Sequence, residues 1–581
     1  MGRFRFTSLV LAALLAAGCH AGGDAATKVT AVADDYLAGL LTYHPEFGTV
    51  NGLPGADHGR LTDNSLGALE RWQAKEDGWL ARLKTIIPAT LGDRPEAVTY
   101  AVLREELEGS VASRACRLEL WAVNSYVNGW QTEYSDLALV QPVGSDSLRA
   151  QALARVRALP KYIDTEIENL EAGLAQGYSS PKVIVYAVLD QLDDILATPV
   201  ERSPFASPAE RDSTPAFRSA YREAVAKELN PALHRYRDFL ATRYLASARN
   251  AIGVTANPMG RDCYRAEVRR FSTLDVAPDS VYRLGLAEMA RVEGEMTAVA
   301  ARGFGGATPA EALTRLRTDP KYAFKTSDEL MAYAQAALDR ARQAMPRVAD
   351  LTTDARVVIE PYPEFRARAG APGQYNAGPE DGSAPGVFLI NAYDPTHTSR
   401  ANVEQVTFHE TYPGHHFQLS IAREREGLHP VVRYLGSTGF IEGWGLYAEG
   451  LADELGLYST DVDRLGWLAS RAFRAARLVV DAGMHTGRMS RDSAVAYLEA
   501  HTTRPPAEIQ GEVNRYISWP GQATAYMLGN LELVALSEQA RRQLGTAFDV
   551  RKFHDQVLQN GNVPLPWLRS RIERWLAAEG R

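Results

Sequence analysis

From Ala31 to Ala578 the chain repeats one pattern, apolar residues three and four positions apart, over stretches far longer than a strand. The pattern runs through Ala31–Leu41, Leu66–Ile86, Ser147–Ala175, Ala216–Ala246, Ser280–Ala301, Ser327–Met345, Asp461–Met489 and Val550–Ala578. It predicts a mainly α fold. Ser280 marks one helix start, and Thr308-Pro309 supplies an N-cap followed by proline at the first helical position. The Pro- and Ser-bearing stretch Thr198–Pro215 reads as a long exposed connection. With no internal repeat and no low-complexity linker, residues 31–581 read as one domain, a helical half over 31–250 and a half over 251–581 that carries the chemistry.

One region departs from the helical period. Ala355–Pro361 and Gly386–Tyr393 are short, rich in β-branched and aromatic residues, and bounded by Pro and Gly. They predict two strands joined by the Gly- and Pro-rich loop Phe365–Pro385, forming a small sheet just before the densest chemistry in the chain.

Residues 1–18 read as a signal peptide. Arg3 and Arg5 precede an apolar run that ends at Ala17, well short of the ~18–20 apolar residues a bilayer span requires. Leu15-Ala16-Ala17-Gly18-Cys19 resembles a bacterial lipobox, which implies lipidation at Cys19, a tether over 19–30 and a protein anchored to a membrane only by its lipid. His20, not Asp, follows the cysteine, which by resemblance to lipoprotein sorting implies the outer membrane, with the domain in the periplasm. Export would put Cys116 and Cys263 where they either pair or remain two buried thiols. A net charge of −8 speaks against a general nucleic-acid binder.

Of 12 histidines, three lie in the eight residues His409-Glu410-Thr411-Tyr412-Pro413-Gly414-His415-His416. On a regular helix the sixth residue after His409 sits about 240° around the axis, and the seventh roughly 10 Å along it. Neither can share one zinc ion with His409 across bonds of about 2.0–2.1 Å. Pro413 cannot donate to the carbonyl of His409, and Gly414 admits unusual backbone angles. The segment can therefore bulge between Glu410 and His415 and return His415 to His409. A helix end with surface histidines would use the same Pro-Gly pair.

Further on, Gly439-Phe440-Ile441-Glu442-Gly443-Trp444 opens a helix on which Glu442, Glu449 and Asp453 share a face. Carboxylates among large aromatics are costly to bury unless paired or bound to metal. Glu442 follows His415 by 27 residues, which suits a third ligand from the next helix, whereas Asp453 and Glu454 suit a solvated stripe.

These motifs, His-Glu-x-x-Pro-Gly-His and Glu-Gly-Trp, resemble a bacterial lipoprotein family catalogued as domain of unknown function eight-eight-five. The family in turn looks like the helical, deep-cleft zinc peptidases related to angiotensin-converting enzyme, thimet oligopeptidase and Taq-type carboxypeptidase. Gly439–Glu442, Arg515-Tyr516 and Gly521–Asn530 are similar to stretches of those enzymes. The resemblance implies a large helical deep-cleft fold with a small β-sheet beside the active-site helix. It also implies one Zn2+ held by His409, His415 and Glu442, with His415 preferred to His416 because the family's second histidine directly follows the glycine.

With Glu410 as general base, a phenol suits the oxyanion donor, and Tyr526, Tyr516 and then His485 are the candidates. Arg515 can fork a substrate carboxylate, with Gln522 and Asn391 as further substrate-side groups, and Gly386–Asn391 can offer a strand edge to an extended peptide. The leading expectation is a zinc-dependent peptidase of small peptides. The alternatives are a metal-dependent hydrolase of a non-peptide amide and a non-catalytic peptide-binding or scaffold lipoprotein. Endo- versus exopeptidase action and oligomeric state stay open.

Overall fold

The computed structural model describes residues 9–126, 128–362, 373–378, 382 and 384–580, with side chains from residue 25 onward. Cys19 and most of the signal segment therefore lie outside the described side chains. Helix α1 (Leu9–Tyr43) runs through the segment read as a tether, and within it Ala25 and Val29 are already buried. Its inner face, Val29, Val32, Ala33 and Tyr36, packs against α2 (Leu66–Lys84), where Trp72 and Trp79 ring Tyr36, and against α3 (Pro95–Ser113).

The next helices, α4 (Asp146–Ala175) and α5 (Lys182–Ala197), close a core of their own with the helical run over 215–247. That run matches the predicted Ala216–Ala246 but is widened at Val225–Leu229 and Leu240–Tyr244. The connection 198–215 is less exposed than its composition suggests, because Phe205, Ala206 and Ala209 are buried in short helical turns.

Helix α6 (Gly260–Ser272) is tied to the end of α3 by a disulfide between Cys116 and Cys263. The two thiols left open by the sequence are thus paired, and the pair links the two halves of the chain. Helix α7 (Pro278–Gly303) lies along the long helical segment Asp461–His485, and Thr308 caps the helix after α7 in a reciprocal capping box with Glu311. Helix α8 (Ser327–Ala344) then leads to the sheet.

Among the described residues the sheet has three strands: β1 (Val357–Pro361), β2 (Gly373–Asn376) and β3 (Gly386–Ile390), in the order β1-β3-β2. The two predicted strands pair in parallel, Val357 opposite Gly386, and β2 adds antiparallel to β3, Tyr375 opposite Phe388. Two expectations are corrected. The loop Phe365–Pro385 contains a strand, and β3 cannot offer an edge to a peptide because β1 and β2 cover both of its sides. Among the described residues the outer edges belong to β1 and β2, and the β2 edge lines the cavity described below.

After the sheet come α9 (Val403–Glu410), α10 (His415–Glu424), α11 (Thr438–Glu454), α12 (Asp461–His485), α13 (Pro506–Ser518) and α14 (Ala525–Leu544). Helices α11 and α14 cross with their backbones in contact. A Cβ on Gly443 would lie 2.6 Å from the carbonyl carbon of Gly529, and one on Gly529 would lie 1.8 Å from the oxygen of Gly439. That crossing sets Glu442 and Tyr526 on the wall of one cavity. Among the described residues no helix is long and apolar enough to cross a membrane.

Candidate metal centre

The histidine segment is two helices rather than one. Helix α9 ends at Glu410, the backbone turns through Thr411–Gly414 with a cis Tyr412–Pro413 bond, and α10 restarts at His415. The turn is held from both sides: Gly414 N donates to Phe408 O at 3.1 Å, and Trp444 Nε1 of the Glu-Gly-Trp motif donates to Pro413 O at 2.9 Å. A Cβ on Gly414 would meet His409 O at 1.9 Å, so only glycine fits. The break brings the two imidazoles face to edge, ring centroids 4.6 Å apart.

Glu442 Oε2 lies 3.4 Å from His409 Nε2 and 3.5 Å from His415 Nε2. Two ligand atoms in a tetrahedral zinc shell, with bonds of about 2.0–2.1 Å, are separated by roughly 3.3–3.4 Å. Both separations from Glu442 match that figure, and the ligand atoms of the trio all fall within 4.8 Å of one another, so the group could hold a metal ion. The electrostatics agree. Burial opposes a charge on His409, yet hydrogen bonds to Glu442 and Glu449 draw its pKa up to about 10, so this is a place where the protein holds positive charge.

Glu449, two turns after Glu442, accepts from His409 Nδ1 at 2.8 Å and is fully buried. A carboxylate on the far nitrogen fixes the tautomer that leaves Nε2 free to bind a metal. The shared face of α11 contained that signal, and Asp453 on the same face is engaged outward by Arg464. His416 turns the other way. Its Nδ1 bonds the Tyr375 hydroxyl at 2.9 Å and its Nε2 the Tyr412 hydroxyl at 3.1 Å, and burial lowers its pKa to about 4.

Glu410 stands beside the trio, its Oε2 accepting from Tyr375 N at 2.9 Å. The strand missed in the sequence thus orients the candidate base. His409, Glu410, His415, Glu442 and Tyr526 line one cavity of about 400 Å3, together with Tyr126, the β2 edge at Gly373–Tyr375, and four arginines, Arg474, Arg477, Arg504 and Arg515.

The matched family is described as "Bacterial protein of unknown function (DUF885)" and covers residues 45–572. The chain belongs to this family. No curated protein matches the sequence. Two solved structures, each described as a "putative lipoprotein", share this fold. That from Colwellia psychrerythraea has a TM-score of 0.87 at 25% identity, covering 96% of this chain and 99% of its own. That from Shewanella oneidensis has a TM-score of 0.74 at 17% identity, covering 93% and 99%.

The structure separates the remaining sequence candidates of this family member. Tyr526 faces the cavity, the Arg477 guanidinium 4.6 Å above its ring, and burial together with the negative Glu442 raises its pKa. Tyr516 is fully buried behind that wall, donating to Glu512 Oε2 at 2.6 Å and accepting from Arg477 Nε at 3.0 Å. His485 is also fully buried, its Nδ1 accepting from Val254 N and its Nε2 donating to Tyr516 O, with its pKa pushed by burial to about 4. Both hold the wall rather than face the cavity.

Arg515 lines the cavity but is committed to Glu512 and to Gln522, and it stacks on Tyr126. Asn391 lines a neighbouring cavity of about 890 Å3, which meets the first at Val406, Arg504 and Glu508. Arg474 and Arg477 lay within reach of sequence reasoning, since Arg471, Arg474 and Arg477 recur every three residues among Ala, Phe, Leu and Val in the middle of the helix.

Proposed function

We propose that this protein is a zinc-dependent peptidase that hydrolyses peptide bonds of small peptides, exported and anchored at Cys19 to the outer membrane with its catalytic domain in the periplasm. The observation that carries the reading is the convergence of the ligand atoms of His409, His415 and Glu442 to within 4.8 Å of one another, with Glu410 alongside. A structural site has no use for a base, and a base held by the backbone of an edge strand is placed to serve a substrate lying along that strand.

Bound zinc would supply Lewis acidity, polarising the scissile carbonyl and making water acidic near neutral pH. The remaining steps belong to the chain. Glu410, steadied by Tyr375 N, takes the proton of the attacking water and hands it to the leaving amine. The Tyr526 hydroxyl donates to the oxyanion as it forms, and the two arginines near its ring favour negative charge there. Glu449 keeps His409 in one tautomer and orientation. The outer edge of β2, apart from the Tyr375 N–H that Glu410 takes, offers main-chain partners to an extended peptide.

The test is metal analysis combined with a peptide-library digest. The protein should carry about one zinc per chain, lose hydrolysis on chelation and regain it with added zinc. Full metal occupancy without cleavage of any library member would overturn the reading.

A further inference from the structure

The cavity holds more positive charge than its own acids engage. Arg477 and Arg515 share Glu512, and Arg504 pairs with Glu508 at 2.9 Å. Arg474 has no ion pair among the described residues. Its Nη1 donates to Ser470 Oγ, one turn back on the same helix, at 2.9 Å. The acid that most affects it electrostatically, Glu449, is already hydrogen-bonded to His409.

The unused hydrogen-bond capacity clusters. On α12, Arg474 Nε and Arg477 Nη1, like Arg515 Nε on α13, are buried and without a partner, and Arg477 is only 5% exposed. Arg474 and Arg477 stand three apart on α12, on one face. A buried guanidinium N–H left unpaired is costly, and a planar pair of oxygens is the group that satisfies two such donors at once. Among the described residues no other cavity lining pairs two such arginines on one helix face. The acids at Glu106 and Glu267 face Arg270, and the exposed apolar residues are scattered.

We propose that Arg474, with Arg477, receives the free C-terminal carboxylate of the peptide, so that the protein trims peptides from their C-terminal end. This rests on the peptidase reading, with the carboxylate seat in the same cavity as the metal trio and Tyr526. It also moves the carboxylate from Arg515, which is bound to both Glu512 and Gln522, to the neighbouring helix, where Arg474 has no ion pair among the described residues.

The experiment measures binding by calorimetry in the zinc-loaded Glu410→Gln protein, where turnover does not interfere. The probes are acetyl-trialanine as free acid, the same peptide as its amide, and acetyl-Ala-Ala-Glu amide, which moves the carboxylate to a side chain. The free acid should bind about tenfold or more tightly than either amide, and the added substitution Arg474→Gln should abolish that preference. Equal affinity for acid and amide before the arginine is touched overturns the proposal without any arginine variant. So does a preference that survives Arg474→Gln, or a Glu-amide that binds as well as the free acid.

Hydrolysis separates the two levels. A parent protein that cleaves acid and amide at the same rate keeps the peptidase reading and overturns C-terminal trimming. A parent that cleaves nothing while the binding preference and its loss persist overturns the peptidase reading and leaves the carboxylate seat standing.

Discussion

Replacing Gly445 with alanine adds one methyl where the structure has the imidazole of His409. A Cβ built at Gly445 lies 2.5 Å from Cε1, 2.7 Å from Nε2 and 3.0 Å from Nδ1 of that ring. Ordinary carbon contacts need about 3.5–4.0 Å, so the ring must retreat by roughly 1 Å. Metal sites tolerate ligand displacements of only about 0.2 Å. The same retreat pulls Nδ1 away from Glu449, now 2.8 Å distant, and loss of such an outer partner alone typically costs about 10–100-fold in metal affinity. Together these predict at least about 100-fold weaker zinc binding, near 3 kcal/mol.

The fold should survive that change. Alanine favours the helix by roughly 1 kcal/mol over glycine, which offsets part of an overpacking cost of about 1–3 kcal/mol. Zinc affinity is read by competition with a chromophoric chelator, and the Tm of the metal-free protein serves as the control. A Gly445→Ala protein that binds one zinc with parental affinity would refute the placement of His409.

Two further predictions concern the wall of the cavity. Tyr526→Phe should lower kcat by roughly 10²–10³ with KM nearly unchanged, whereas Tyr516→Phe should chiefly lower Tm, because its hydroxyl bridges Glu512 and Arg477; equal, small kcat losses at both in steady-state kinetics would remove the phenol from the mechanism. Asp481, beneath that wall, is raised by burial to about 7 despite hydrogen bonds from Tyr264 and Gly521. Its folded form therefore binds a proton more readily than the unfolded chain, so this group's contribution to stability declines from about pH 4 to pH 7, by on the order of 4 kcal/mol. Asp481→Asn should flatten that part of the pH–Tm profile and raise Tm at pH 8, and an unchanged slope would contradict the assignment.

The parts legible in the sequence were those fixed by local pattern. Helical periodicity located Leu66–Lys84, Asp146–Ala175, Pro278–Gly303, Ser327–Ala344 and Asp461–His485 to within a few residues but passed over Pro95–Ser113, Lys182–Ala197 and Ala525–Leu544, and the Pro413-Gly414 pair announced that His409 and His415 could not share one regular helix. It misread Val550–Ala578 as one helix, where Gly561 at φ 73° and Pro564 divide Val550–Leu558 from Leu565–Glu579. What the sequence hid was set by distant partners. Strand β2, Gly-Gln-Tyr-Asn, has no apolar alternation of its own and exists because β3 pairs with one side while Glu410 takes an N–H on the other. Tyr516 and His485 carry the residue types of catalysis but spend their polar atoms on one another and on the wall. Only the packing of α12 against α13 and α14 distinguishes them from Tyr526.

The most direct test of the central claim is the hydrolysis rate of the zinc-loaded Glu410→Gln protein, measured on a peptide the parent cleaves. The substitution keeps the size of the side chain and leaves His409, His415 and Glu442 in place, so zinc should remain at about one per chain. Turnover should fall by roughly 10²–10⁴. A Glu410→Gln protein that retains zinc and cleaves as fast as the parent would contradict the account of this site.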